Sequence, residues 1–285
     1  MPDRKIISSD QPRDGDPRPI GVFDSGIGGL TVVKALRDVL PNEQIIYLGD
    51  TARVPYGSRS PSTVERYSLE IANMLMERDA KLMVVACNTV SSVALPQLEH
   101  SLPVQVVGVI RPGAEAAIHE SRSRNIGVIG TRATIRSGAY ERTLKSIDPL
   151  VQVTSRACPL LVPLIEEGLL RDDVTDQIIR RYLEPMLAAG IDTLVLGCTH
   201  YPLLARAIQQ QLGHSVRVVD SARNCALAVK RLLGEQSLGA PAAATGGLQI
   251  ALTDRPDNFL GVAKEALQLN IEDVELREVV HAPAL

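Results

Sequence analysis

Short apolar runs recur along the chain at 20–23, 45–48, 82–86, 104–109, 126–129, 194–196 and 216–219, each ending on small or polar residues. Between them the apolar positions change to the spacing of helices: Leu30, Val33, Leu36 and Leu40 fall on one face. Ser62, with Glu65 three residues on, forms a capping box ahead of Tyr67, Ile71 and Leu75. Strands that alternate with helices predict βαβ units and largely parallel sheets, so the expected class is doubly wound α/β.

The pattern also repeats. PIGVFDSG (19–26) parallels NIGVIGTR (125–132), and KLMVVACNT (81–89) parallels DTLVLGCTH (192–200). The offsets, 106 residues from 19 to 125 and 111 from 87 to 198, suit a duplicated unit with loop insertions, although shared strand grammar would also produce two short matches. The small-residue stretch 235–247 reads as a linker or surface loop. Beyond it, LQIALTD alternates like a strand, and Asp254 with Pro256 suits the start of a helix carrying Phe259, Leu260, Ala263 and Leu267. The expected organisation is an extension over 1–19, a first α/β domain from 20–111 completed by 224–285, and a second from 112–223.

With 285 residues there is chain enough for two such units. A hydrophobic content of 45% with 22% charged residues describes a folded globular protein. A formal charge of −3 supplies no cationic field for nucleic acid, and aromatic residues at 3% without Trp leave few stacking platforms, which points to a small polar ligand. The first nineteen residues hold four prolines and eight charges with only Ile6 and Ile7 as an apolar run, which suits a flexible extension and not a signal core. No stretch reaches the length of a membrane span, and the expected compartment is the reducing cytoplasm.

In parallel α/β sheets ligands bind beyond the carboxyl ends of the strands. The residues at those tips are Asp24-Ser25, Pro55-Tyr56-Gly57, Cys87-Asn88-Thr89, Gly130-Thr131 and Cys198-Thr199-His200. Cys87 and Cys198 hold equivalent places in the repeat, where a following helix would favour a thiolate. A lone cysteine at such a place is more often a small buried hydrophobe, and Cys158 and Cys225 have no matching partner and read as structural. The matched pair calls for another account. Zinc on Cys87, Cys198 and His200 would lack a further ligand at suitable spacing, so no metal is assigned. A disulfide does not suit the compartment, and a Cys-His hydrolase needs one cysteine only.

Two thiols facing one carbon can instead remove a proton from one side and return one on the other, which inverts a stereocentre. Asp24 and His200 are the neighbours able to tune them, and Glu166 could work beside His200, with Glu167 as its rival. DSGIGG matches neither a dinucleotide nor a P-loop pattern, so its plainer role is a tight turn presenting Asp24 and Ser25. Asn88, Thr89, Thr131 and Thr199 supply amide and hydroxyl groups for an amino acid, or simple helix caps.

At these residues the sequence closely resembles the glutamate racemase family, through GVFDSGIGGLTV (21–32), LGDTARVPYG (48–57), VACNTVSSVALPQL (85–98), IGVIGTRATIRSGAY (126–140) and LGCTHYPLL (196–204). The resemblance implies two pseudo-symmetric α/β domains with the active site in the cleft between them. It also implies cofactor-independent interconversion of L- and D-glutamate for peptidoglycan. Cys87 and Cys198 would be the acid-base pair, with Asp24, His200 and Glu166 assisting. Asp24, Ser25, Tyr56, Gly57, Asn88, Thr89, Thr131, Thr199 and His200 fit the family's substrate-binding positions. A homodimer is expected, with neither nucleic acid nor membrane as partner. Residues 1–19 depart from the family pattern and leave open whether a cell-wall precursor activates the enzyme, as in some longer relatives. An aspartate racemase, an arylmalonate decarboxylase-like relative and a non-catalytic amino-acid sensor are the competing readings.

Overall fold

The computed structural model describes residues 15–255, 271 and 273–279. Along the chain, strands β1 (Ile20–Asp24), β2 (Gln44–Gly49), β3 (Leu82–Val85) and β4 (Gln105–Gly108) alternate with helices α1 (Leu30–Val39), α2 (Pro61–Met76), and the α3 (Asn88–Val93) and α4 (Leu95–Ser101) pair. After α5 (Ile110–Glu120) come β5 (Asn125–Gly130), α6 (Arg132–Ser137), α7 (Ala139–Ile147), β6 (Gln152–Ala157), α8 (Leu161–Glu166) and α9 (Asp173–Ala188). Then follow β7 (Thr193–Gly197), α10 (Ala205–Leu212), β8 (Arg217–Asp220), α11 (Ser221–Glu235), β9 (Gly247–Leu252) and the two-residue β10 (Glu275–Leu276).

The strands form two sheets, ordered β10-β9-β2-β1-β3-β4 and β6-β5-β7-β8, with every pair parallel. Stripped of β9 and β10, the first sheet has the same sequence of crossovers as the second. The similar segments noted above fall on β1 and β5, and on β3 and β7, which occupy matching central places. Every residue of β1, β3 and β7 is buried, as strands covered on both faces require. One face of the first sheet packs Val22, Val84, Leu30, Val33 and Leu36 against Cys225, Val229 and Leu233 of α11. The other packs Phe23 and Val85 against Val64, Ile71, Leu75 and Leu98. In the second sheet Leu194 and Leu196 meet Ile179, Leu183, Ile208 and Cys158, and Ile126, Val128 and Val195 meet Ala114 and Leu144. Removing such a side chain from water is worth about 1.5–3 kcal/mol, so these layers fix where the strand tips end.

The expected limits at 111/112 and 223/224 fall just inside α5 and α11, so the chain passes between the sheets at the ends of β4 and β8. LQIALTD forms β9 and pairs with β2, extending the first sheet. The helix expected over Phe259, Leu260, Ala263 and Leu267 lies outside the described residues. The capping box at Ser62 and Glu65 is corrected: α2 starts two residues earlier, with Ser60 in extended backbone accepting from the Thr63 N–H and Pro61 pre-set in the first turn. The extension expected to run to residue 19 is anchored from Asp16 onward. Its N–H donates to the Gly239 carbonyl, and its own carbonyl accepts from Lys81 Nζ, which also pairs with Glu43 at 2.6 Å in full burial. Glu43 in turn accepts from the Ala240 N–H, so one buried ion pair ties the extension and the 235–247 loop to the base of the first sheet.

Candidate active site

The tips of the two sheets converge on one cavity of about 250 Å³. Cys87, the residue after Ala86 at the end of β3, caps the start of α3 and reaches it from the first sheet. Cys198 follows β7 and reaches it from the second. Cys198 is followed by a 3-10 turn over Tyr201–Leu204, and α10 begins only at Ala205, so a helix start directly behind it is a feature of Cys87 alone. Ser25, Tyr56, Gly57, Asn88, Thr89, Thr131, Glu166, Thr199 and His200 line the same cavity, together with Arg132, Tyr201 and the apolar side chains of Val54, Pro55, Pro159, Val162 and Pro163.

Each thiol has its own polar neighbours. Cys87 Sγ lies 3.5 Å from Ser25 Oγ. Burial and the nearby Asp24 charge push this thiol up to about 12, against the stabilising Ser25 hydroxyl and Val90 N–H. Cys198 Sγ faces His200 Nδ1 at 3.9 Å, and the other nitrogen of the imidazole stands 3.2 Å from Glu166 Oε1. The two sulfurs therefore sit in unlike surroundings: Cys87 beside the Ser25 hydroxyl and the Asp24 carboxylate, and Cys198 beside the His200 imidazole with Glu166 behind it.

Asp24 is 1% exposed and does not line the cavity. Its carboxylate accepts from the Gly26 and Gly29 N–H groups at 3.2 and 3.0 Å, and from Thr199 Oγ at 3.5 Å. Burial raises its affinity for a proton, with the His200 charge and those N–H groups working the other way. Asp24 thus lies set back from the cavity wall, beside Cys87, Thr199 and His200. Glu166, the last residue of α8, reaches His200 and the cavity, whereas Glu167 does neither.

Tyr56 lines the cavity with its ring, because its hydroxyl is turned away and donates to the buried Asp50. Asp50 also accepts from Arg53 at 2.7 Å and Thr253 at 2.9 Å, and Arg53 pairs with Glu70 while lying over the Tyr67 ring. This cluster, which the sequence pattern does not announce, holds the 51–58 loop against α2 and the tips of β2 and β9 in the first lobe. A Cβ on Gly57 would come within 2.8 Å of Thr131 Cβ, so only glycine permits the approach. Thr131 is the N-cap of α6, accepting from Thr134, and its hydroxyl also meets that of Thr89 at 3.0 Å across the two lobes. Pro159, Val162 and Pro163 follow β6, an edge strand whose polar sequence QVTSRA carries no apolar run to announce it. A second, more open groove of about 800 Å³ lies between α1 and the α9–α10 side, lined by both signs of charge and by neither thiol. No group of three or more His, Cys, Asp or Glu suited to a metal occurs among the described residues.

Two lobes of like topology that each offer a sulfur to a shared cavity define a racemase-type scaffold, and the chain belongs to the Asp/Glu/hydantoin racemase family, whose model matches residues 30–229. Within it the similarity is to glutamate racemases. That of Geobacter metallireducens is 51% identical over 257 residues, covering 90% of this chain and 95% of its own. The crystal structure of isoform RacE1 from Bacillus anthracis matches with a TM-score of 0.88 at 38% identity, over 92% of this chain and 98% of that one. The enzyme of Francisella tularensis, solved with D-glutamate, matches with a TM-score of 0.87 at 35% identity, over 93% and 98%.

Proposed function

We propose that the protein interconverts L- and D-glutamate without a cofactor, with Cys87 and Cys198 acting on opposite faces of Cα. The observation that carries this is a single cavity reached by one thiol from each sheet. The D-glutamate bound by the Francisella relative supports the choice of substrate. In the L-to-D direction the Cys198 sulfur takes the α-proton, the electron pair passes into the substrate carboxyl group, and the Cys87 thiol delivers its proton to the other face. The reverse direction exchanges the two roles. His200 and Glu166 adjust the charge around Cys198, and Asp24 acts on Cys87 and His200 from behind. Ser25, Asn88, Thr89, Thr131 and Thr199 offer hydroxyl and amide groups to the ammonium and carboxylates, and Gly57 gives that wall its closeness.

Supply of D-glutamate for peptidoglycan in the cytoplasm is the cellular role of this reading. No helix among the described residues is long and apolar enough to cross a membrane. Association as a homodimer and activation by a cell-wall precursor belong to the same reading; sedimentation, and rates with and without that precursor, read them out. The division into 20–111 with 224–285 and 112–223 is supported by the return of β9 to the first sheet. Incubation with L-glutamate in D₂O tests the function: D-glutamate carrying deuterium at Cα is expected. Binding without inversion would identify a sensor, and inversion of aspartate in preference to glutamate would reassign the substrate.

A further inference from the structure

Tyr140 has no part in the chemistry above, yet it is the large polar side chain that passes from the second lobe to the wall of the cavity. It is the second residue of α7, 2% exposed, and its hydroxyl lies 2.7 Å from Asn88 Oδ1. The ring is closely held, since a Cβ on Gly197 would stand 3.1 Å from its Cε2. A phenol has one proton to give. In this contact the phenol's proton goes to the Asn88 amide oxygen. An amide whose oxygen is taken in this way must turn its nitrogen the other way. Asn88 lines the cavity, and its Nδ2 is buried with no hydrogen-bond partner among the described residues.

We propose that Tyr140 is a positioning residue which sets the Asn88 amide so that Nδ2, and not Oδ1, faces a substrate carboxylate. This rests on the reading that the cavity binds glutamate. The relay runs from Tyr140 to Asn88, and it lets the second lobe dictate the polarity of a contact on the first. Without the hydroxyl, the Asn88 amide is free to flip and to present an oxygen to the substrate anion.

Tyr140→Phe keeps the ring and removes only the donor. KM for both enantiomers is expected to rise about tenfold, the loss of one hydrogen bond to a charged group, with a much smaller change in kcat because the contact serves ground and transition states alike. In an Asn88→Ala background the same substitution should add nothing. A KM within about twofold of the parent, or a full further rise in the Asn88→Ala background, would overturn the proposal. A readout that needs no substrate is the Asn88 side-chain NH₂ pair in a ¹H–¹⁵N spectrum, identified by its loss in Asn88→Asp. That pair should move in Tyr140→Phe with an otherwise native spectrum, and an unmoved pair would end the relay. If the parent neither binds nor inverts glutamate, the functional reading falls while the spectrum still decides the relay.

Discussion

Gly28 packs against the His200 imidazole, and the consequence of giving it a side chain can be worked from distances. A Cβ there would lie 2.4 Å from His200 Nδ1 and from Thr199 Oγ, and 2.6 Å from His200 Cε1. Ordinary contact begins near 3.4 Å, so in Gly28→Ala the ring must retreat by about 1 Å. Nδ1 is the atom facing Cys198 Sγ at 3.9 Å, and the same movement disturbs Nε2 against Glu166 at 3.2 Å. A misplacement of about 1 Å in reacting groups costs about 10²-fold in rate. Overpacking of this kind destabilises by about 1–3 kcal/mol, or about 2–12 °C in Tm for a chain of this size. The assay is initial rates from each enantiomer by circular dichroism, with thermal unfolding alongside. A folded variant that retains rates within threefold of the parent from both enantiomers would refute the placement of His200 as a partner of Cys198.

Glu166→Gln removes a group that holds the His200 proton, so the alkaline limb of its pH–rate profile should move to lower pH, whereas Glu167→Gln should leave the profile in place. His200 is raised from 6.5 to about 10 on folding, so its contribution to stability is complete below pH 6.5 and is lost as pH rises toward 10; Cys87, raised from 9.0 to about 12, adds a loss of the same sign at still higher pH. Tm measured from pH 6 to 10 should therefore fall, with a shallower fall in His200→Gln. Racemisation should persist after exhaustive dialysis against chelator and without pyridoxal phosphate, and a strict requirement for either would reject proton transfer by the thiols alone.

The central strands were legible because burial on both faces leaves an uninterrupted apolar run, as in IGVFD and TLVLG, and because the tips of such strands must carry the site. The equivalence of Cys87 and Cys198 was legible for the same reason, since each follows a strand at the same place in a repeated topology. Strand β6 was not, because an edge strand with exposed polar residues has no such pattern, and β10 is too short to carry one. Partnerships across the fold were the other gap. Nothing in the spacing of Asp50, Arg53, Glu70 and Thr253 shows that they meet behind Tyr56, and nothing near Tyr140 shows that it reaches Asn88, 52 positions earlier. Glu166 and Glu167 are alike in sequence, and only the end of α8 turns one of them toward His200.

The claim that the two thiols serve opposite faces of one carbon is tested most directly with Cys87→Ala and Cys198→Ala and the two enantiomers of a glutamate analogue halogenated at Cβ, from which removal of the α-proton expels halide without any need for a second proton transfer. Both variants should fail to racemise glutamate. Cys87→Ala should still eliminate from the L-analogue through Cys198, and Cys198→Ala from the D-analogue through Cys87. The same enantiomer preference in both variants, or full racemase activity in either, would contradict a two-thiol site.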